Sequence, residues 1–496
     1  MISRVPGQRV PARQVLVVGG GITGLTAGYR LAVDHPEIDV TVLEASNRPG
    51  GYLRTGPLDD PMLDGLPIDA GADAFLVRVP WALDLCVELG IDTELVSPSA
   101  RKASLWLDDA LWPIPSPNVL GVPLDPETVA PGLLAPADLE RLAGDGVPDV
   151  PIGGTLDRTP GTSGDLSVGA VIRACVGDRV FERLVDPLLG GINAGRADDL
   201  SCAVMAPQLL APARSTEGLL AGLRRTAAVA DPAAPVFNSP AAGMERIVEA
   251  LVAVLGDRLR TGSPVTRLDR APDGDTSDRQ VAGWVATTAS GTYRADSVVL
   301  AVPAHVAATL VAPHSDDAGE VLTGWRHASV ALATVAFDRA DLEVPADQSG
   351  FLVGRATNQE SSPLMTACSF AGSKWAHLDH PERAVLRVSC GRIDDTRPSD
   401  LSDEALVEAL RADLATTLGV EALPTAVRLG RFPDSLVQFP VGHSNRIDQL
   451  DGLLADSAPG VLVAGSVRTG VGIPACIRSG TEAARQASEL AAGLTN

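Results

Sequence analysis

Gln14-Val15-Leu16-Val17-Val18-Gly19-Gly20-Gly21-Ile22-Thr23-Gly24-Leu25, followed by Val40-Thr41-Val42-Leu43-Glu44, decides the fold of this chain. The first apolar, β-branched run reads as a buried strand, and the glycines that end it are spaced G-x-G-x-x-G. A helix-compatible segment from Leu25 to Val33 leads to a second apolar run that ends in an acid. That order is a βαβ dinucleotide site. Gly19 permits the tight turn, Gly21 lets the backbone approach a pyrophosphate, and Gly24 lets the helix pack on the strand. Ile22 and Thr23 enter the helix, whose free N–H groups and positive dipole end face the phosphates. Glu44, twenty residues beyond Gly24, is placed to accept hydrogen bonds from both ribose hydroxyls.

Outward from this core, Ala45-Ser46-Asn47-Arg48-Pro49-Gly50-Gly51-Tyr52 continues the site. An acid followed by a basic residue and paired glycines extends along the pyrophosphate of FAD toward the isoalloxazine ring. In a simple NAD enzyme the chain would pass to another strand–helix unit. Ala45, Arg48, Gly50 and Gly51 are therefore cofactor candidates. Ile68-Asp69-Ala70-Gly71-Ala72-Asp73-Ala74-Phe75 reads as a short strand running into a small-residue bend. There Gly71, Ala72, Asp73 and Ala74 allow close approach to a flat ring. Val265 is expected at the adenine end. Near the end of the chain a strand delivers Gly465, and Gly470-Val471-Gly472-Ile473-Pro474 enters a helix with proline in its first turn. The Gly465, Val471, Gly472 and Ile473 backbone at that terminus can stabilise negative charge on the reduced ring.

These pieces predict a fold that is α/β and α+β. A split Rossmann-type FAD-binding domain takes residues 12–79, 221–303 and 455–496. A mainly helical insertion, 80–220, and a mixed-sheet substrate domain, 304–454, interrupt it. Within the insertion, Pro80 to Leu89, Pro136 to Ala143, and Asp178 to Leu189 carry helical signals, with Ser167 as an N-cap ahead of Val168. Ser104 to Pro115 reads as a hairpin with an Asp108-Asp109 turn.

At 496 residues and 45% hydrophobic, with no apolar run near 18 residues, the chain is predicted to be a soluble, cytoplasmic, multidomain protein without stable membrane insertion. Met1 to Arg13 has arginines but no apolar h-region and reads as a flexible lead, not a signal peptide. A net charge of −22 disfavours nucleic acid and anionic lipid as partners, so an anionic substrate must meet a local basic patch. The six cysteines are scattered, with no metal-ligand spacing, and read as buried free thiols. Lys102 and Lys374 are the only lysines among 40 basic residues, an arginine bias that, with the abundant Ala, Gly and Pro, reads as GC-rich coding.

Several stretches carry a sharper signal: Ile68 to Leu76, Leu111-Trp112-Pro113-Ile114-Pro115-Ser116, Asp186-Pro187-Leu188-Leu189-Gly190-Gly191-Ile192 with Ala194-Gly195, Val437-Gln438-Phe439 with Val441-Gly442-His443, and Gly470 to Ile477. Through them nearly the whole chain resembles the oxygen-dependent coproporphyrinogen/protoporphyrinogen oxidase family of amine-oxidase-like flavoproteins. Asn193, Arg196 and Val437-Gln438-Phe439 depart from the family's usual residues.

The resemblance implies an FAD enzyme that removes hydrogen from a porphyrinogen in successive two-electron steps of heme biosynthesis, with oxygen reoxidising the flavin to give hydrogen peroxide. Its partners are then the porphyrinogen, oxygen and downstream heme-pathway enzymes. The bacterial look of the composition ranks coproporphyrinogen III ahead of protoporphyrinogen IX. Resemblance also places a substrate cation at Lys102, with Arg101 beside it, to pair with propionates. Hydride transfer needs positioning more than a base, so no catalytic side chain and no metal is assigned, and His443 reads as structural. An amine oxidase or desaturase, and a flavin- or tetrapyrrole-binding protein without turnover, are the rival readings. Against the amine oxidase, none of the three tyrosines lies in the C-terminal segment that would build an aromatic cage.

Overall fold

In the computed structural model, residues 13–149, 152, 164–229, 231, 234–272, 283–355 and 362–493 are described. The expected N-terminal lead therefore lies almost wholly outside the described residues.

The quoted stretch forms the strand Arg13–Val18, the helix Ile22–Asp34 and the strand Ile38–Leu43. These join a five-stranded sheet in the order Leu259–Arg260, Ile38–Leu43, Arg13–Val18, Ser297–Leu300 and Val461–Val463. Every pairing in it is parallel. Strands from three distant parts of the chain thus complete one sheet, as expected for a split Rossmann unit. Burial on both faces explains their apolar runs: Val15, Val17 and Val42 point into one core, and Leu16, Leu43 and Val298 into the other.

Close helix packing follows from small residues. A Cβ on Gly24 would meet the Gly19 carbonyl oxygen at 1.8 Å, and one on Gly480 would meet that of Thr23 at 2.3 Å. The helix Ile473–Ala491 therefore lies directly on Ile22–Asp34, and the first and last motifs of the chain become neighbours.

The second sheet has seven strands, ordered Ala426–Val437, His327–Asp338, Arg383–Cys390, Met365–Phe370, Gln348–Val353, Lys102–Leu107 and Ala110–Pro113. The helix Asp403–Leu418 covers one face through Leu406, Leu410 and Leu414. The last two strands are the predicted hairpin, turned by Asp108 and Asp109 at φ of 52° and 57°. Here the structure departs from the expectation of one insertion over 80–220. Lys102–Leu107 runs parallel to Gln348–Val353, so this part of the segment belongs to the seven-stranded sheet. A partner some 245 residues away leaves no local sequence signal.

The helix Trp81–Glu88 also leaves the insertion, since Ala82, Leu85 and Cys86 pack in the nucleotide core, whereas the later part of the segment is mainly helical with a core of its own that includes Val171, Phe181 and Leu209. Ser167 Oγ accepts the Ala170 N–H at 3.0 Å, as its N-cap reading requires. The helix begun at Asp178 runs past Leu189 to Asn193 through one π turn, Phe181–Val185, and ends where Ala194 takes a left-handed φ of 47°. No helix among the described residues is long and apolar enough to cross a membrane.

Candidate active site

The glycine turn is held open from both sides. Glu44 Oε2 accepts the Gly20 N–H at 2.7 Å and Oε1 accepts that of Ser46 at 2.8 Å. The Gly50 N–H donates to the Gly20 carbonyl at 2.7 Å, which lays the glycine pair against the turn. A Cβ built on Gly21 would meet nothing within 4 Å, and one on Gly51 only Gly21 Cα, at 3.4 Å. One on Gly465 would meet only Thr23 Oγ1 at 3.9 Å, and one on Gly472 only Pro474 Cδ at 3.8 Å. These backbones border open space. The helices beginning at Ile22 and Ile473 have no side-chain cap, so their first N–H groups remain available to an anion.

This arrangement fits a pyrophosphate at Gly21-Ile22-Thr23 and a polarised ring at Val471-Gly472-Ile473. Arg48 holds the loop together: Nη1 donates to the Pro49 and Leu53 carbonyls at 2.9 Å, and Nη2 to that of Gly51 at 2.6 Å. Val265 is half-buried. It follows Ser263, whose N–H donates to the Glu44 carbonyl at 2.8 Å, so it stands at the same end of the site as exposed Ala45.

The bend at Gly71-Ala72 packs beside this loop. A Cβ on Gly71 would meet the Tyr52 carbonyl oxygen at 2.3 Å. Asp69, buried beneath it, accepts Thr55 Oγ1 at 2.6 Å and the Met244 N–H at 2.9 Å. Burial pushes its carboxyl up to about 6, against the pull of these bonds and of Arg387. Ala72 is exposed and Ala74 half-buried. The Asp73 side chain instead turns away, accepting Lys374 Nζ and Trp375 Nε1 and pairing with Arg387 of the second sheet.

Strand register shows which face of the seven-stranded sheet meets the bend. Gly430, Leu332, Ser389, Ala367 and Leu352 stand in one row, all half-buried. Beyond Arg428 and Arg387 on the same face, Leu58, Leu63, Ile68 and Trp375 cover the sheet. The row itself has no such cover. Ala70 closes its near end, since a Cβ on Gly430 would lie 3.8 Å from the Ala70 carbonyl oxygen, and Gly191 of the helical part abuts Leu352. Tyr52 meets Phe432 edge to face with ring centroids 5.7 Å apart. Small and apolar side chains, with Ser389 among them, thus form a half-buried row beside the Gly71-Ala72 bend.

The two predicted substrate cations stand at the start of Lys102–Leu107 and are exposed. Lys102 Nζ pairs with Asp347 Oδ2 at 2.7 Å, and the two side chains are 71% and 63% exposed. Lys102 is three residues from Leu105, the partner of Leu352, so strand alternation turns its side chain to the opposite face of the sheet, the face on which Trp106 packs. His443 is buried, with Nε2 2.8 Å from the Val467 carbonyl oxygen, and burial lowers its pKa. That is a structural bond between the helix His443–Ser457 and the loop before Gly470. The reading from sequence missed Arg387, Arg428 and Lys374. Lys374 carried a signal, being one of two lysines. Arg387 lies in Val385 to Cys390, which reads simply as an apolar strand, and Arg428 in a stretch that carries no strand reading.

Among the described residues, no group of three or more His, Cys, Asp and Glu side chains could hold a metal ion. All six cysteines are buried and free.

The sequence pattern described as flavin containing amine oxidoreductase matches residues 22–488. A coproporphyrinogen III oxidase of Staphylococcus aureus is 29% identical over 96% of this chain and 98% of its own. A coproporphyrinogen III oxidase of Mycobacterium bovis is 32% identical over 94% and 95%. A crystal structure from Exiguobacterium sp. 255-15, provisionally assigned as a protoporphyrinogen oxidase, superposes with a TM-score of 0.80 at 29% identity, covering 96% of this chain and 98% of that one. With the open glycine cradle and two uncapped helix termini, these likenesses make the protein an FAD-dependent oxidoreductase. The chain belongs to the flavin containing amine oxidoreductase family.

Proposed function

We propose that this enzyme oxidises coproporphyrinogen III to coproporphyrin III in heme biosynthesis. The observation that carries the reading is likeness along almost the whole chain to enzymes named for that reaction. The row along Gly430, Leu332, Ser389, Ala367 and Leu352 supports it, because a broad macrocycle needs a flat wall without bulky or charged groups.

FAD held at this cradle would supply the two-electron acceptor for hydrogen removal and the route by which those electrons reach oxygen as hydrogen peroxide. The chain's part is to position and to screen. Gly21, Ile22 and Thr23 hold the pyrophosphate, Glu44 the ribose, and the Gly50-Gly51 and Gly71-Ala72 loops the ring; Val471, Gly472 and Ile473 stabilise charge on its pyrimidine edge. The apolar row holds the macrocycle against the ring and limits access of water. Arg101 and Lys102, at the exposed start of Lys102–Leu107 and outside the row, remain the cations proposed for propionates on the strength of the resemblance, Lys102 exchanging Asp347 for a substrate carboxylate. The domain division at 80, 221, 304 and 455 is part of this reading, modified by the helix Trp81–Glu88 and the Lys102–Pro113 hairpin. So are a cytoplasmic location and hand-over of product to a downstream heme-pathway enzyme.

Purified yellow protein assayed by fluorescence with coproporphyrinogen III and protoporphyrinogen IX in parallel, with peroxide recorded, tests the proposal. A higher kcat/KM for the four-propionate substrate is expected. Preference for the vinyl substrate would move the enzyme to the protoporphyrin route, and turnover of neither would overturn the reading.

A further inference from the structure

The Gly71-Ala72 bend is gripped from outside the nucleotide domain. Asp73 Oδ2 accepts Lys374 Nζ at 2.8 Å and Trp375 Nε1 at 3.3 Å, and lies 2.7 Å from Arg387 Nη1. Arg387 Nη2 donates to the Gly71 carbonyl. A single guanidinium thus holds the bend at two points, from the strand Arg383–Cys390.

The site is enclosed: the Arg387, Lys374 and Asp73 side chains are 7%, 18% and 20% exposed. Burial alone would raise the Asp73 carboxyl, but Lys374 and Arg387 outweigh it and hold the group well below the usual carboxylate range. Arg428, beside Arg387 on the same face, donates to the Gly56, Pro57 and Ile68 carbonyls and adds a further cation. Asp69, beneath the same bend, is a second carboxylate, so Lys374, Arg387 and Arg428 together still leave a positive charge behind the bend once Asp73 and Asp69 are counted, in a chain whose net charge is −22.

We propose that Asp73, Lys374 and Arg387 are positioning residues that fix the Gly71-Ala72 bend against the flavin, and that the positive charge left by Lys374, Arg387 and Arg428 raises the electron affinity of bound FAD. Reduction places negative charge on the ring, and a cation held in a poorly solvated site stabilises that charge far more than one in water. Anchoring the bend from the seven-stranded sheet also ties the position of the flavin to that of the row.

The inference rests on the flavin reading and not on which substrate is oxidised. Its test is therefore the midpoint potential of the holoenzyme, read with its visible spectrum and FAD content. Lys374→Gln is expected to shift the potential downward while FAD remains bound, and Lys374→Arg to restore it. Asp73→Asn, which removes the balancing negative charge but keeps a hydrogen-bonding amide, shifts it upward. A purely structural role moves stability or FAD content without these opposite signs. Potentials equal to wild type in both Lys374→Gln and Asp73→Asn, with FAD bound, overturn the proposal. If Lys374→Gln does not fold, the Asp73→Asn shift decides alone. Wild-type protein that holds FAD but turns over no porphyrinogen defeats the substrate reading and leaves this one standing.

Discussion

Glu44 Oε2 accepts the Gly20 N–H at 2.7 Å, so the acid at the end of the second strand braces the glycine turn. The same carboxylate also accepts the Ser46 N–H, and in the proposed reading it would take the ribose as well. Glu44→Ala removes the acceptor for Gly20 and Ser46 together. Hydrogen bonds to a charged group contribute about 1.5–3 kcal/mol, so FAD affinity should fall on the order of 10- to 100-fold. Absorbance near 450 nm after gel filtration reads this; protein that emerges as yellow as wild type would remove Glu44 from the ribose site.

Lys102 and Asp347 give a test with two opposed signs. Their side chains pair at 2.7 Å on an exposed edge, so the acid competes with any substrate carboxylate for the ammonium. Lys102→Gln should raise KM for coproporphyrinogen III, by about fivefold, with kcat little changed. Asp347→Asn should lower KM and make it more sensitive to salt, since an unpaired ammonium then attracts the anionic substrate. Unaltered KM in both variants assigns the pair to the surface alone.

Asp186 joins the helical part to the second sheet. Oδ1 accepts the Ala197 N–H at 2.8 Å and Oδ2 accepts Arg355 Nε at 3.1 Å, and the residue is 8% exposed. Asp186→Ala strands a buried amide and half-frees a guanidinium, at a cost of about 2 kcal/mol. The exposed pair Arg196–Asp394 next to it, at 3.3 Å, is the control: Arg196→Gln should cost less than about 0.5 kcal/mol. Thermal denaturation of the two variants should therefore show a drop of several degrees for the first only.

What the sequence made legible follows the range of the interactions. The glycine turn, Glu44, the Asp108-Asp109 turn and the cap at Ser167 are local devices, each specified within a few residues, and the structure places them as the spacing predicts. Pairing of Lys102–Leu107 with Gln348–Val353 was not legible, because register between distant strands leaves no periodic mark. Neither was the destination of Asp73, whose partners stand some 300 residues on. The row was hidden for the same reason: Gly430, Leu332, Ser389 and Ala367 come from four strands and read singly as ordinary sheet residues.

Asp69 makes stability depend on pH in an unusual direction. Burial dominates its environment and raises the carboxyl from the ordinary value near 3.8 to about 6, although Thr55, the Met244 amide and Arg387 pull the other way. Between about pH 4 and 6 the folded protein therefore keeps a proton that the unfolded chain has released. Raising the pH through that window favours the unfolded chain, and the loss is complete above about pH 6, where it amounts to ~3 kcal/mol. Most acids, held ionised by partners, give the opposite slope. Asp69→Asn stays neutral throughout, and its amide oxygen can still accept both Thr55 Oγ–H and the Met244 N–H. The variant should thus lie close to wild type at about pH 3.5 and exceed it at pH 8, with the difference in Tm growing between the two. A difference that is constant with pH would show that Asp69 titrates normally in the folded protein.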